Sequence, residues 1–291
     1  MTSTLTRREE SMEKVKETFE GFDETVNYAQ VKRDGYRLKI TRNPAGVVRV
    51  WTRRPQDWTR LVRALPRAKP LWERLNERCT LHAEVWCPTV PATSVITMVK
   101  AADPIVRISV FSVERVDALG DSSTLTDAAL WCAKHGLDFV PYYKRGTRDV
   151  GCLGTFTSKA DLPRATGDVE GYVFKNFNKQ GTDDKRNWRK WCAVRTATLV
   201  VVGTIAGKGK YRGKVGSLVL ADRSGTTLCS AGGFTDLQRE ALSDLDIGRC
   251  VEVAFKGVAS KGRLRMPRFR RFRDDISPAD ADTWQGLSDG A

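Results

Sequence analysis

Lys32 stands in the string Gln30-Val31-Lys32-Arg33-Asp34-Gly35-Tyr36-Arg37. A strand running into an Asp-Gly turn puts Lys32 where a ligand can sit and brings Arg37 back on the next strand. An amine is a nucleophile only when unprotonated, and a lysine facing other cations or a bound metal has its pKa pushed down toward reactivity. The bland alternative for KRDGYR is a solvated turn beside a basic strand. A second string, VEGYVFK over residues 169–175, carries Glu170 and Lys175. Transfer from a triphosphate needs hard oxygen ligands and cations to spread developing charge, and these residue types supply both. Two more strings, GKYRGKVGSL (209–218) and PRFRRFRDD (267–275), mix cations with aromatic rings, the composition of a nucleic-acid surface.

Composition narrows the chemistry further. His82 and His135 are the two histidines, which nearly excludes a histidine-rich metal centre or a Ser-His-Asp triad. Catalysis then falls to lysines, arginines and carboxylates. Cysteines 79, 87, 132, 152, 192, 229 and 250 are scattered and never closer than eight apart. That spacing fits neither a disulfide framework nor a CxxC zinc site, and it favours reduced, buried thiols in a cytosol. With 49 basic residues against 35 acidic ones the net charge is +14, which suggests a polyanionic partner. At 291 residues, 41% apolar and 29% charged, the chain reads as two globular domains. No run approaches the ~18 apolar residues of a membrane span, and MTSTLTRREE lacks the apolar core of a secretory signal.

The elements that must position these residues follow from periodicity. Residues 12–22 read as an amphipathic helix through Val15, Phe19 and Phe22. VNYAQVK, YRLKIT and VVRVWT read as strands, with NPAG turning between the last two. A helical stretch over 57–78 is interrupted by Pro66 and Pro70; apolar runs LHAEVW and IVRISVFSV, a helix over 124–135 and the VEGYVFKN strand follow. Near residue 195 the texture changes to four strand candidates between Gly-rich turns, with a helix TDLQREALSDL capped by Thr235 or Asp236. Such a set in ~80 residues matches a small Greek-key barrel of the oligonucleotide-binding (OB) type. Residues 196–276 hold 15 basic and 8 acidic residues, and the acidic, Gly/Ser-containing segment after 276 reads as disordered.

KxDGxR resembles motif I of the covalent nucleotidyltransferases, and within them the ATP-dependent DNA ligases. The resemblance makes Lys32 the residue that attacks the α-phosphate of ATP, with Arg37 facing the sugar or the 5′-phosphate of a nick. Gln30 stands where the family usually has a glutamate, and its amide meets the adenine edge. Thr52-Arg53 resembles motif Ia, placing Arg53 near ribose and DNA backbone. Leu81-His82-Ala83-Glu84 resembles the LDGE of motif III with His82-Ala83 for Asp-Gly, so only Glu84 carries over, facing ribose or metal. Val110-Phe111-Ser112 resembles the FD strand, with Phe111 as the ring that stacks on adenine. Glu170 and Lys175 match EGxxxK of motif IV, Glu170 helping to hold Mg²⁺ and Lys175 near phosphate. For motif V two registers stay open, one through Asn187-Trp188-Arg189-Lys190-Trp191 favouring Lys190, the other through Trp191–Arg195 favouring Arg195. Residues 209–218 resemble the first turn of ligase OB domains, and 267–275 resemble motif VI, with Arg273 and Asp275 on the pyrophosphate and Ile276 replacing a terminal lysine.

The resemblance, over residues 26–276, implies an α+β fold: an adenylyltransferase domain (1–195) of ATP-grasp-like antiparallel sheets with helices, then a β-barrel OB-fold domain (196–276), then a disordered acidic tail (277–291). It implies a minimal ligase of the phage or bacterial kind, in a bacterial cytosol or an infected cell, serving DNA replication, repair or recombination. ATP and Mg²⁺ are the implied cofactors, and the partner is nicked duplex DNA clamped or encircled by a monomer. Lys210, Arg212, Lys214, Arg268, Arg270 and Arg271 join Arg37 and Arg53 as expected DNA contacts. The competing readings are an RNA ligase, an mRNA-capping nucleotidyltransferase, or a non-catalytic nucleic-acid-binding protein. An intact Lys32, Glu84 and Glu170 argue against the last, because a pure binder has no need of acids in a basic cleft.

Overall fold

Alternating apolar residues give the chain three five-stranded sheets, seen in a computed structural model that describes residues 27–115, 125–164, 169–175, 188–259 and 262–288. The helix expected over 12–22 lies outside the described residues, as does Asn187. The chain divides into two compact units, Met1–Cys192 and Ala193–Ala291.

The first unit holds β1 (Tyr28–Arg33), β2 (Gly35–Arg42), β3 (Val48–Thr52), β4 (Cys79–Trp86), β5 (Arg107–Arg115), β6 (Asp138–Phe139), β7 (Tyr142–Arg145), β8 (Gly154–Phe156), β9 (Val169–Lys175) and β10 (Arg189–Cys192). One sheet runs β10-β9-β1-β7-β8, the other β3-β2-β4-β5-β6. The pairing is antiparallel except for β5 with β6 and β7 with β8. In the second sheet Leu38, Ile40, Val50, Leu81, Ala83 and Val85 alternate onto one face and are fully buried. Helices α1 (Thr59–Arg63), α2 (Pro70–Glu73), α3 (Ala92–Lys100) and α4 (Leu125–Lys134) belong to this unit, and Val62, Leu71, Val95 and Cys132 from them complete that core. Pro66 and Pro70 divide the 57–78 stretch into α1, a 3₁₀ turn and α2, because proline stops the preceding helix and starts the next. Asp34 does more than turn the chain: its carboxylate accepts the Ala92 N–H at 3.0 Å, tying the start of α3 to the loop after Lys32.

The second unit runs β11 (Arg195–Ala206), β12 (Val215–Ala221), β13 (Thr227–Ala231), α5 (Asp236–Ala241), β14 (Cys250–Phe255), β15 (Arg268–Phe272) and α6 (Trp284–Ser288). Its sheet order is β13-β12-β11-β14-β15, and a bridge between Gly232 and Arg268 joins the two edges, with the Phe269 N–H donating to Gly232 at 2.9 Å. Leu199, Val201, Leu218, Leu220, Val251, Val253 and Phe255 fill the interior. Thr235 caps α5 in a capping box with Gln238.

Residues 277–288 are not a disordered tail. β12 pairs with β11 only from Val200 onward, so the stretch before it has an open edge on that side. The segment fills that edge: Asp282 donates its N–H to Thr198 at 2.9 Å and accepts the Thr198 N–H at 2.7 Å. Leu287 is buried in the core and Trp284 packs against it. Its acidic composition concealed two large apolar residues at helical spacing.

Candidate active site

Two sheet faces of the first unit converge on Lys32. In one, β1 sets Gln30 opposite Val173 and Lys32 opposite Gly171, while β10 sets Lys190 opposite Val173 and Cys192 opposite Gly171. Directly paired residues share a face, so Gln30, Lys32, Lys190 and Cys192 stand together, with Ala29, Val31, Tyr172 and Phe174 buried on the reverse. In the other sheet Arg37 pairs with Glu84 and Lys39 with His82, on the face opposite the Leu38–Leu81 core.

Two side chains reach the site through irregularities. β9 opposes Gly171 to Lys32 and Val169 to Arg33, leaving Glu170 as an extra residue; β5 opposes Ser112 to His82 and Val110 to Ala83, leaving Phe111 as another. A bulge re-aims the side chain it carries. Glu170 thereby accepts a hydrogen bond from Lys32 Nζ in an ion pair whose side chains are 26% and 13% exposed. Both neighbouring glycines are required by space. A Cβ on Gly171, at φ +153°, would lie 2.1 Å from the Trp191 carbonyl oxygen, and one on Gly35 would lie 2.2 Å from that of Val85.

The electrostatics reverse one expectation. Burial by itself would lower the Lys32 ammonium, but the Glu170 carboxylate, with Cys192 and Glu84 behind it, outweighs burial and holds the amine above its ordinary range. The group that Lys32 touches is a carboxylate, which favours the charged amine. Enclosure of Glu84 pushes that carboxyl up to about 7 against the pull of Lys32 and Arg37. With the Glu170 carboxylate acting on it as well, this enclosed acid fits a divalent cation. Among the described residues no group of three or more His, Cys, Asp or Glu could hold a metal unaided, so other oxygens would have to complete the shell.

Phe111 is the hub of the aromatic wall. His82 stacks on it at 6.2 Å, Trp188 meets it edge-on at 6.3 Å, and the Arg37 guanidinium lies 5.2 Å from its centroid. Lys175, expected near phosphate, is wholly buried instead: Nζ donates to the Phe111 carbonyl at 2.9 Å and sits 3.7 Å from the Trp188 ring centroid. It braces the wall from behind. Gln30 is also buried, its amide donating to the Val140 carbonyl at 3.3 Å. Arg53 is exposed in the turn after β3, where the Thr52 hydroxyl donates to the Arg54 carbonyl.

His82 is the residue that sequence reasoning passed over, treating it as a departure from a motif. The available signal was the alternation Leu81-His82-Ala83-Glu84, which puts His82 on the Glu84 face. Its Nε2 lies 3.1 Å from Glu114.

In the second unit the expected contacts separate into two kinds. Lys210 pairs with Asp236 at 3.7 Å, Lys214 with Glu240 at 2.9 Å and Arg271 with Glu252 at 3.1 Å. Arg212, Arg268 and Arg270 are exposed. Arg273 is bidentate to Asp275, both bonds 2.8 Å, so these two bind each other. Arg195, one of the two motif V candidates, donates to the Leu287 carbonyl at 2.6 Å and lies 5.2 Å from the Phe255 ring centroid. The C-terminal segment occupies it, whereas Lys190 shares the Lys32 face.

Comparison with known proteins agrees with this geometry. Residues 206–273 match the family model described as a DNA ligase OB-like domain. A probable DNA ligase of Kineococcus radiotolerans is 28% identical over 87% of this chain and 56% of its own length. One of Mycobacterium marinum is 35% identical over 33% of this chain and 24% of its own. The chain thus spans about half the length of the first of these relatives and less of the second. A solved structure from a study of Lig E DNA ligases, 18% identical, superimposes with a TM-score of 0.64 over 90% of this chain and 99% of its own. It shares the fold. Among the described residues no helix is long and apolar enough to cross a membrane. Along most of its length, and in the OB-like domain that follows the Lys32 face, the chain is similar to DNA ligases.

Proposed function

We propose that this protein seals 5′-phosphate/3′-hydroxyl nicks in duplex DNA, using ATP and a divalent cation, through a covalent adenylate on Lys32. The observation that carries the reading is the meeting of Lys32, Glu170, Glu84 and Arg37 from four strands, in a relative of the DNA ligases. In the first step Lys32 Nζ, after losing its proton, bonds to the α-phosphorus of ATP as the bond to pyrophosphate breaks. AMP then passes to the 5′-phosphate of the nick, and the 3′-hydroxyl displaces it. Phe111, held by His82, Trp188 and Lys175, is the ring for adenine, and Arg37 the cation for sugar or phosphate. Glu84 and Glu170 would hold Mg²⁺ together with phosphate oxygens, and the ion would spread charge in the transfer. Lys190 fits the motif V part by sharing the Lys32 face. Arg273 and Asp275 would serve pyrophosphate only after their mutual pair opens. Nicked duplex is the partner, gripped by a monomer in the cytosol.

Incubation with α-labelled ATP and Mg²⁺ should leave a covalent label, stable to denaturation and alkali and released by acid, that Lys32→Ala lacks, and the wild type should seal a nicked duplex. A label equally strong in Lys32→Ala would move the nucleophile elsewhere. Labelling by GTP in place of ATP would turn the reading toward a capping-type enzyme.

A further inference from the structure

Across the second sheet a row of side chains runs outward from the Phe111 ring and ends on two residues the site does not use. Pairing sets His82 opposite Lys39 and Lys39 opposite Trp51, so the three stand side by side on the Glu84 face, with Phe111 stacked on His82 at the inner end. β3 is the outermost named strand of the sheet, its outer side bridged at Trp51 by Asp57, so Trp51 ends the row. Lys39 and Trp51 are both half-buried. The indole of Trp51 belongs to no hydrophobic cluster and makes no ring contact or hydrogen bond among the described residues. Arg49 and Arg53 flank it two residues away on either side, both exposed; Arg49 meets Asp57 at 3.4 Å, and Arg53 makes no ion pair among the described residues. A half-buried aromatic ring set among cations is the composition that binds a sugar-phosphate strand: rings take bases or sugars and cations take phosphates.

We propose that Lys39 and Trp51 form a contact surface for a nucleic-acid strand, Lys39 on phosphate and the Trp51 indole under a base or sugar, laying the duplex across the sheet toward the Phe111–Lys32 end. The proposal deepens the ligase reading and rests on it for the identity of the substrate. Each residue leaves a different signature. Loss of a cation lowers the salt dependence of binding, by about 0.9 in the log–log slope per phosphate contact, whereas loss of a ring weakens binding at every salt concentration.

The test is nicked-duplex binding by fluorescence anisotropy over a salt series, with unfolding midpoints read alongside. Trp51→Ala should bind about tenfold more weakly with an unchanged slope. Trp51→Phe should recover most of the loss. Trp51→Leu, which keeps an apolar side chain without a ring, should not, so a loosened edge strand cannot stand in for a lost contact. Lys39→Gln should reduce the slope by about 0.9. Wild-type affinity and slope in both variants, in a protein that labels with ATP and seals nicks, overturn the surface and leave the ligase reading intact. Loss of duplex binding in the variants of a wild type that neither labels nor seals overturns the ligase reading and keeps the surface. Binding of anionic vesicles instead of duplex, lost in the same variants, overturns the assignment to nucleic acid.

Discussion

Lys32 and Glu170 are 138 residues apart in sequence and meet through two strands and a bulge, whereas Arg273 and Asp275 are two residues apart and meet on the surface of one short segment. Both are ion pairs of the same chemical kind. The first is mostly enclosed, at 26% and 13% exposure, and its surroundings hold the lysine high and push Glu84 to about 7. The second is open on the Asp275 side, at 65% exposure, and Arg273 simply holds that carboxyl down to about 2. Enclosure converts charge into chemistry, because a group denied water must settle its protonation with its neighbours. A pair whose carboxylate stands in water settles its protonation largely with solvent, and salt screens it.

The largest effect should come from breaking the backbone approach that makes the enclosure. Gly171→Ala would put a methyl 2.1 Å from the Trp191 carbonyl in a conformation that L side chains rarely adopt. It should cost about 3 kcal/mol or more of stability. Gly225, at φ +84° in the second unit, has nothing within 4 Å of an added Cβ. Gly225→Ala should cost only about 1 kcal/mol, from φ alone. Urea denaturation of the two variants tests the contrast, and equal losses would mean that crowding at Gly171 is relieved by strand movement.

The next effect belongs to the second unit and tests whether its terminal segment is structural. Leu287 is 6% exposed in that unit's core. Leu287→Ala should destabilise by about 2–3 kcal/mol, as for other buried leucines. A loss under about 0.5 kcal/mol would return residues 277–288 to the status of a loose tail.

These two sites also mark what could be read from residue order. The strands around Lys32, the Asp-Gly turn and the Glu-Gly pair were legible because local alternation and turn chemistry write them directly. The bulges at Phe111 and Glu170 were not, since an extra residue exists only relative to a partner strand that sequence does not name. Lys175 shows the same limit: a lysine next to a motif glutamate suggested phosphate, and only the tertiary fold buries it beneath Phe111 and Trp188. Asp34 looked like half of a turn and also caps a helix 58 residues away. The C-terminal segment was misread because net acidity outweighed Trp284 and Leu287, which join a core built from the strands of the second unit.

A smaller effect separates the two regions by pH. The Glu84 carboxyl has its folded pKa raised, from 4.5 to about 7. The folded state therefore holds a proton that the unfolded chain releases, so the group's contribution to stability falls as pH rises between those values. Glu84→Gln removes that cost and should gain about 1–2 kcal/mol over wild type at pH 8 relative to pH 5. Asp275→Asn should show no such gain, since its carboxyl is shifted the other way. Thermal unfolding at the two pH values measures both. A gain at pH 8 no larger than at pH 5 would mean that Lys32 and Arg37 already keep Glu84 charged.

The smallest effect tests the surface side of the comparison. Arg271 lies 3.1 Å from Glu252, with 63% and 23% of their side chains exposed. Such a pair gains little Coulomb energy in water and loses side-chain freedom, so Arg271→Gln should change stability by no more than about 0.5 kcal/mol. Its effect on nucleic acid should be larger in proportion: one phosphate contact fewer lowers the salt slope of nick binding by about 0.9. That outcome requires Arg271 to exchange Glu252 for phosphate, which costs little because the pair is half in solvent. An unchanged slope would place Arg271 with Arg273, as a cation already spent on its own domain, and leave Arg212, Arg268 and Arg270 to make the contacts. Repeating the series on Glu252→Gln decides between these, because removing the competing carboxylate should tighten duplex binding only if Arg271 reaches the strand.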